Sequence, residues 1–170
     1  MSANDPALQP RITTFEEAEE IKPFGTPAKI MLRTEETGGA LSALLVMHGP
    51  GEGPPPHSHA GQAEYFFVVE GTYEMTIGGE TRVIGPGTMV FAPPNAVHTF
   101  KNIGDTAAKM LDWSLPGGQD RYFQEVDEMG KGGAGFGPER ISARMIRPSP
   151  GTLLTRGSVS DPQTPAWRQV

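Results

Sequence analysis

Apolar side chains alternate with polar ones in short runs from residue 27 to residue 115, and nearly every run is broken by glycine, proline or asparagine. A period of two is the mark of an extended strand with one face in a core. The pattern predicts strands over 28–33, 40–48, 63–69, 72–77, 80–84, 88–92, 96–102 and 106–114. Gly78-Gly79, between Met75-Thr76-Ile77 and Thr81-Arg82-Val83, reads as a tight hairpin turn. No helical period separates these runs, so the expected fold is all-β, a closed barrel or sandwich.

The period changes after the last strand. Over 119–129, Tyr122, Val126 and Met129 recur at helical spacing with Phe123 alongside, which predicts one short helix lying against the outside of the barrel. A Gly-rich stretch from Gly130 to Gly137 and a Pro-rich tail over 138–170 follow, suited to an irregular arm. At the other end, residues 1–26 are mostly polar; Thr13 or Thr14 ahead of Glu16 and Glu17 can cap a single turn, but a solvated arm is the simpler expectation. The chain thus divides into an N-terminal arm (1–26), a barrel (27–115) and a C-terminal helix and tail (116–170).

Composition sharpens this reading. Twenty-two glycines and 17 prolines in 170 residues call for frequent turns and leave little room for long helices. The net charge of −6 supplies no basic stripe for nucleic acid and no polybasic segment for a membrane surface. With no cysteine there is no disulfide framework, no thiolate metal site and no cysteine nucleophile. Met1 to Pro10 lacks the pattern of a signal peptide, and runs such as Leu44-Leu45-Val46-Met47 are too short to span a bilayer. A soluble cytoplasmic protein is the expectation.

The candidate chemistry lies in three of the four histidines. His57 and His59 are two apart, so on extended backbone both imidazoles leave one face. Glu64 follows after a short turn, and alternation places Phe66 and Val68 on its own face. A carboxylate among large apolar neighbours inside a barrel costs several kcal/mol unless something neutralises it, and a divalent cation does so. His98 comes one strand pair later, after the turn Pro93-Pro94-Asn95. Three imidazoles and one carboxylate suit a single divalent Fe, Mn, Ni, Co, Cu or Zn ion, and on an octahedral ion they leave two positions open.

The full spacing is Gly51-x5-His57-x-His59-x4-Glu64-x6-Gly71, then Gly87-x5-Pro93-x-Asn95-x2-His98-x3-Asn102. Over residues 40–114 this resembles the two motifs of the cupins, departing only at Asn95, where the family usually has glycine. Asparagine is the next-best residue for a left-handed turn. The resemblance implies a double-stranded β-helix or jelly-roll barrel. It also implies that His57, His59, Glu64 and His98 are the metal ligands, and that Gly51, Gly71, Gly87, Pro93 and Asn102 are structural.

Among cupins the complete three-His, one-Glu set looks most like the quercetinase-like dioxygenases. The implied function is a dioxygenase taking dioxygen and a small aromatic or enolic substrate, with Glu64 as candidate catalytic base. A non-oxidative isomerase or decarboxylase is the alternative; its phosphate- or carboxylate-binding candidates are Arg33, Arg82, Lys101 and Lys109, which parity does not turn inward. A metal- or ligand-binding module without turnover is the third. His48, at a strand end, is expected to pack or make a rim hydrogen bond. Met47, Phe66, Met89, Phe91, Phe100 and Trp113 are expected in the core, and a homodimer is expected from the apolar outer face of an open sandwich.

Overall fold

The computed structural model describes residues 8–131; the expected tail over 138–170 lies outside them. Among the described residues, nine strands and one α-helix run in the order β1 (Glu19–Ile21), β2 (Ala28–Leu32), β3 (Ser42–His48), β4 (Ala63–Glu70), β5 (Tyr73–Ile77), β6 (Glu80–Ile84), β7 (Met89–Ala92), β8 (His98–Asn102), β9 (Ala108–Leu115) and α1 (Gln119–Lys131). A six-stranded sheet in the order β1-β2-β3-β9-β4-β7 faces a three-stranded sheet in the order β6-β5-β8. Neighbours in both are antiparallel, giving the expected jelly-roll.

All eight predicted strands form. The ninth, β1, comes from the segment expected to be a solvated arm. Glu17 N donates to Thr14 Oγ1 (3.3 Å) and Thr14 N donates to Glu17 Oε2 (3.2 Å), a reciprocal cap on one turn. That turn aims the next residues along β2, where Glu19 pairs with Ile30 and Ile21 with Ala28. Three residues with one buried side chain, Ile21, leave too short an alternation to find by period.

One face of the large sheet makes the interior. The register sets Leu44 beside Asp112 and Asp112 beside Phe66, so Ser42, Leu44, Val46 and His48 share it with Glu64, Phe66 and Val68 and with Ala108, Met110, Asp112 and Ser114. Half of this face meets the small sheet in a core of Phe66, Val68, Tyr73, Met75, Phe100 and Met110. Three strands are too few to cover six. The other half, Ile21, Ala28, Ile30, Leu44 and Val46, is covered by Phe123 of α1.

The helix therefore packs on the interior side of the sheet, and its expected place on the outside of the barrel is corrected. Its inward face runs through Gln119, Phe123 and Val126, whereas Met129 is exposed. Asp120, fully buried at its start, accepts hydrogen bonds from Thr34 N (3.0 Å) and from Thr34 Oγ1, tying α1 to the loop after β2.

The outer face of the large sheet is also apolar. Tyr65 stacks on Trp113 (5.4 Å between centroids) and lies against Phe91 (4.8 Å), while Met89, Phe91 and Val69 are exposed. Of the residues expected in the core, only Phe66 and Phe100 are there. Met89 and Phe91 stand on the outside, and so do Met47 and Trp113, because their parity in β3 and β9 opposes that of the buried residues.

His48 closes β3 as a buried group, its Nδ1 3.0 Å from Tyr73 Oη and its ring edge-on to Phe100. Burial pulls its pKa from 6.5 to about 4, against a smaller upward pull from Glu52. On acidification the unfolded chain takes up this proton first, so the group destabilises the fold as the pH drops from 6.5 towards 4. The gap corresponds to about 3 kcal/mol. Chelator-treated wild type is expected to lose that much more unfolding free energy between pH 7 and pH 4 than His48→Gln does; equal losses would refute the assignment.

Candidate metal centre

His57 and His59 lie on the irregular lead-in to β4, Glu64 on β4 itself, and His98 at the start of β8. Their placement follows from backbone pairing. His57 N donates to His98 O (3.0 Å) and His98 N donates to His57 O (2.9 Å), an isolated antiparallel bridge that sets the two imidazoles side by side at 4.3 Å between centroids. Asn95 N donates to His59 O (2.8 Å), which holds the other histidine to the turn before β8. Asn95 has φ 68°, the left-handed conformation asparagine tolerates, so the one departure from the cupin motif keeps its backbone role.

One ligand atom from each of His57, His59, Glu64 and His98 lies within 4.8 Å of all the others. His57 Nδ1 is 2.9 Å from Pro55 O, and His98 Nδ1 is 2.9 Å from Ala96 O. A carbonyl only accepts, so each Nδ1 carries the hydrogen and each Nε2 keeps a lone pair for the centre. His59 Nε2 and His98 Nε2 are both 2.9 Å from Glu64 Oε2, yet none of these three buried atoms makes an aligned hydrogen bond. Neighbouring ligands about 2.1 Å from an octahedral ion stand about 3.0 Å apart. The spacing, the orphaned atoms and the donor chemistry all fit a first-row divalent ion.

At Glu64 and His57 the electrostatics agree. Burial raises the Glu64 pKa, but contacts with His59 and His98 outweigh it and bring it to about 2, so the group is a carboxylate. Burial lowers the His57 pKa, and neighbouring His98 lowers it further, which favours the neutral imidazole a metal needs. At His98 burial also pulls downward, but the contact with Glu64 prevails and raises the pKa.

Two residues at the centre carry no signal in the motif. Gln119 Nε2 donates to Glu64 Oε1 (2.6 Å) and to Asp112 Oδ2 (2.8 Å). Asp112 is buried on the interior face of β9; burial first, then the Glu64 charge, holds its carboxyl well above the usual carboxylate range. Asp112 was legible as an acid at inward parity among Ala108, Met110 and Ser114, while nothing in the sequence marks Gln119. The four cations considered for an anionic substrate all stand outside the interior. Arg33 pairs with Glu19, Arg82 with Glu80 (2.6 Å) and Lys109 with Glu70 (2.6 Å), and Lys101 is exposed.

Known proteins give a matching picture. The model of the Cupin domain matches residues 44–114. The chain is 32% identical over 106 residues to Polyketide synthase CurC of Streptomyces cyaneus, covering 61% of this chain and 68% of that protein. It is 33% identical over 63 residues to Mannose-1-phosphate guanylyltransferase RfbM of Salmonella typhimurium, but those span 37% of this chain and only 13% of the transferase. Among solved structures, KdgF from Halomonas sp. superposes with a TM-score of 0.59 at 24% identity, over 66% of this chain and 99% of that one.

Proposed function

This chain belongs to the cupin superfamily, and from that premise we propose that it is a metal-dependent enzyme acting on a small aromatic or enolic molecule. The observation that carries the proposal is the convergence of three imidazole nitrogens and one carboxylate oxygen within 4.8 Å, beside an interior holding Phe66, Phe100 and Tyr73. A divalent ion there supplies Lewis acidity that lowers the pKa of a phenol or enol, and four protein ligands leave an octahedral ion two further positions.

The residues set the limits on substrate. Phe66, whose ring lies 5.6 Å from that of His98, gives an aromatic molecule an apolar surface beside the ligands. Arg33, Arg82, Lys101 and Lys109 face away, which speaks against a phosphate or carboxylate substrate. Both Glu64 oxygens are engaged, so Glu64 acts as a base only by giving up Gln119 or its place among the imidazoles.

Dioxygen as co-substrate is the first reading, with cleavage of an enolic or phenolic ring system. Cyclisation or another oxygen-independent reaction of an enolisable chain is the second, favoured by the likeness to a protein named as a polyketide synthase. Metal-loaded protein is to be assayed with flavonols and β-diketones in air and under nitrogen. Substrate loss matched by oxygen uptake is expected. Equal loss under nitrogen replaces the first reading by the second, and no turnover at full metal occupancy overturns both.

We carry the homodimer within the same proposal. The outward Tyr65–Trp113 stack with exposed Phe91 and Met89 makes one apolar face, of the kind that a second copy covers symmetrically. Light scattering is expected to give a dimer for wild type and a monomer for Phe91→Glu; a wild-type monomer removes this part.

A further inference from the structure

The metal centre leaves one question open: what holds the Glu64 carboxylate in the orientation it shows. A glutamate has three side-chain torsions, and only one oxygen of Glu64 faces the imidazoles, Oε2 at 2.9 Å from His59 Nε2 and from His98 Nε2. The other, Oε1, accepts from Gln119 Nε2 at 2.6 Å, and the same nitrogen donates to Asp112 Oδ2 at 2.8 Å. Because the Glu64 carboxylate only accepts, the atom facing it has to be the amide nitrogen, whose second hydrogen goes to Asp112 Oδ2.

The clamp answers a problem set by the fold. Glu64 on β4 and Asp112 on β9 project from neighbouring strands into one interior, where both meet the same Gln119 nitrogen. A donor shared by two buried carboxyl groups fixes the orientation of both. Gln119 is that donor, and it comes from outside the residues 44–114 that the cupin model matches. It is the first residue of α1, and its position is fixed by its neighbours. Asp120 is held by Thr34, Phe123 by the cluster around Leu44, and Gln62 Nε2 donates to Pro116 O (2.8 Å) just before the helix.

We propose that Gln119 is a positioning residue for the metal-ligating carboxylate, fixing through Glu64 Oε1 and Asp112 Oδ2 the rotamer that presents Glu64 Oε2 to the three imidazoles. This rests on the metal centre proposed above. It gives α1 a role in the chemistry besides covering the sheet: the helix completes the second layer of bonds around the ligands.

The test is a cobalt(II) titration of the full chain, followed by ligand-field absorption, which reports affinity and coordination geometry together. Gln119→Met keeps the length and removes the donor. It is expected to bind cobalt roughly ten- to a hundredfold more weakly, with a displaced absorption band. Adding Asp112→Asn restores an amide beside Glu64 and is expected to recover part of both the affinity and the wild-type band, which mere loss of packing does not allow. If circular dichroism shows Gln119→Met unfolded, Gln119→Glu, with an acceptor in place of the donor, carries the same expectation.

Wild-type affinity and band position in the folded single variant overturn the assignment alone. So does a double variant with no recovery. A wild-type chain that takes up no cobalt overturns the metal centre, and the assignment with it.

Discussion

Replacing Glu64 by glutamine is expected to weaken divalent-metal binding by roughly a hundredfold. Four-ligand zinc sites bind with an apparent free energy of about 10–16 kcal/mol, so one ligand accounts for about 3 kcal/mol, or roughly two orders of magnitude in Kd. Glu64 supplies the centre's only negative charge among the four candidate ligands, and Glu64 is 4% exposed, so water does not readily replace it. Glutamine keeps the volume and can still meet Gln119, which separates the loss of the ligand from loss of packing. The measurement is thermal unfolding with and without metal. At a hundred times its Kd a ligand stabilises by about 2.7 kcal/mol, an increment expected in wild type and nearly absent in Glu64→Gln at the same metal concentration. An equal increment in both would remove Glu64 from the ligand set.

The second large effect is expected at a residue that does no chemistry. The segment before His57 runs along β8, zipped to it by Gly51 N to Asn102 O (2.9 Å), Asn102 N to Glu52 O (2.8 Å) and Thr99 Oγ1 to Pro54 O (2.7 Å). At Gly53 the two backbones come so close that an added Cβ would stand 1.9 Å from Phe100 O and 2.8 Å from Phe100 C. Neither atom is the end of a flexible side chain, so the segment or β8 has to move. Overpacking of well-packed positions costs about 1–3 kcal/mol, and a backbone clash of this depth belongs at or above the top of that range. The segment carries His57 and β8 carries His98, so Gly53→Ala is expected to lower both the melting temperature and the metal affinity. Gly61→Ala, with nothing near the added Cβ, is the control. A Gly53→Ala chain with wild-type melting and metal affinity would contradict this account of the approach.

These two residues show what was legible in the chain and what was not. Glu64 was found because alternation in β4 forces an acid onto the face of Phe66 and Val68, a conflict that only a partner for the charge resolves. The histidines followed from their two-residue spacing and the motif, and the eight main strands from alternation. Gly53 was passed over because its need is steric and non-local: it depends on β8 lying against it across almost fifty residues of sequence. The same holds for Gln119, whose partners sit on β4 and β9, and for α1 itself. A helical period gives the apolar face but not the sheet it will meet, so Phe123 was seen and its packing against the inner face of the large sheet was not. Trp113 and Phe91 failed for the opposite reason: aromatic bulk suggested a core, while strand parity put both on the outer face.

The account stands most directly on whether the four convergent side chains hold a metal ion. Elemental analysis of wild-type protein, purified without chelator and then reloaded after chelation, is expected to find one first-row divalent ion per chain, and to find that ion missing from His98→Ala and Glu64→Gln handled in parallel. Wild type without metal after reloading, or variants with the same content as wild type, would contradict it.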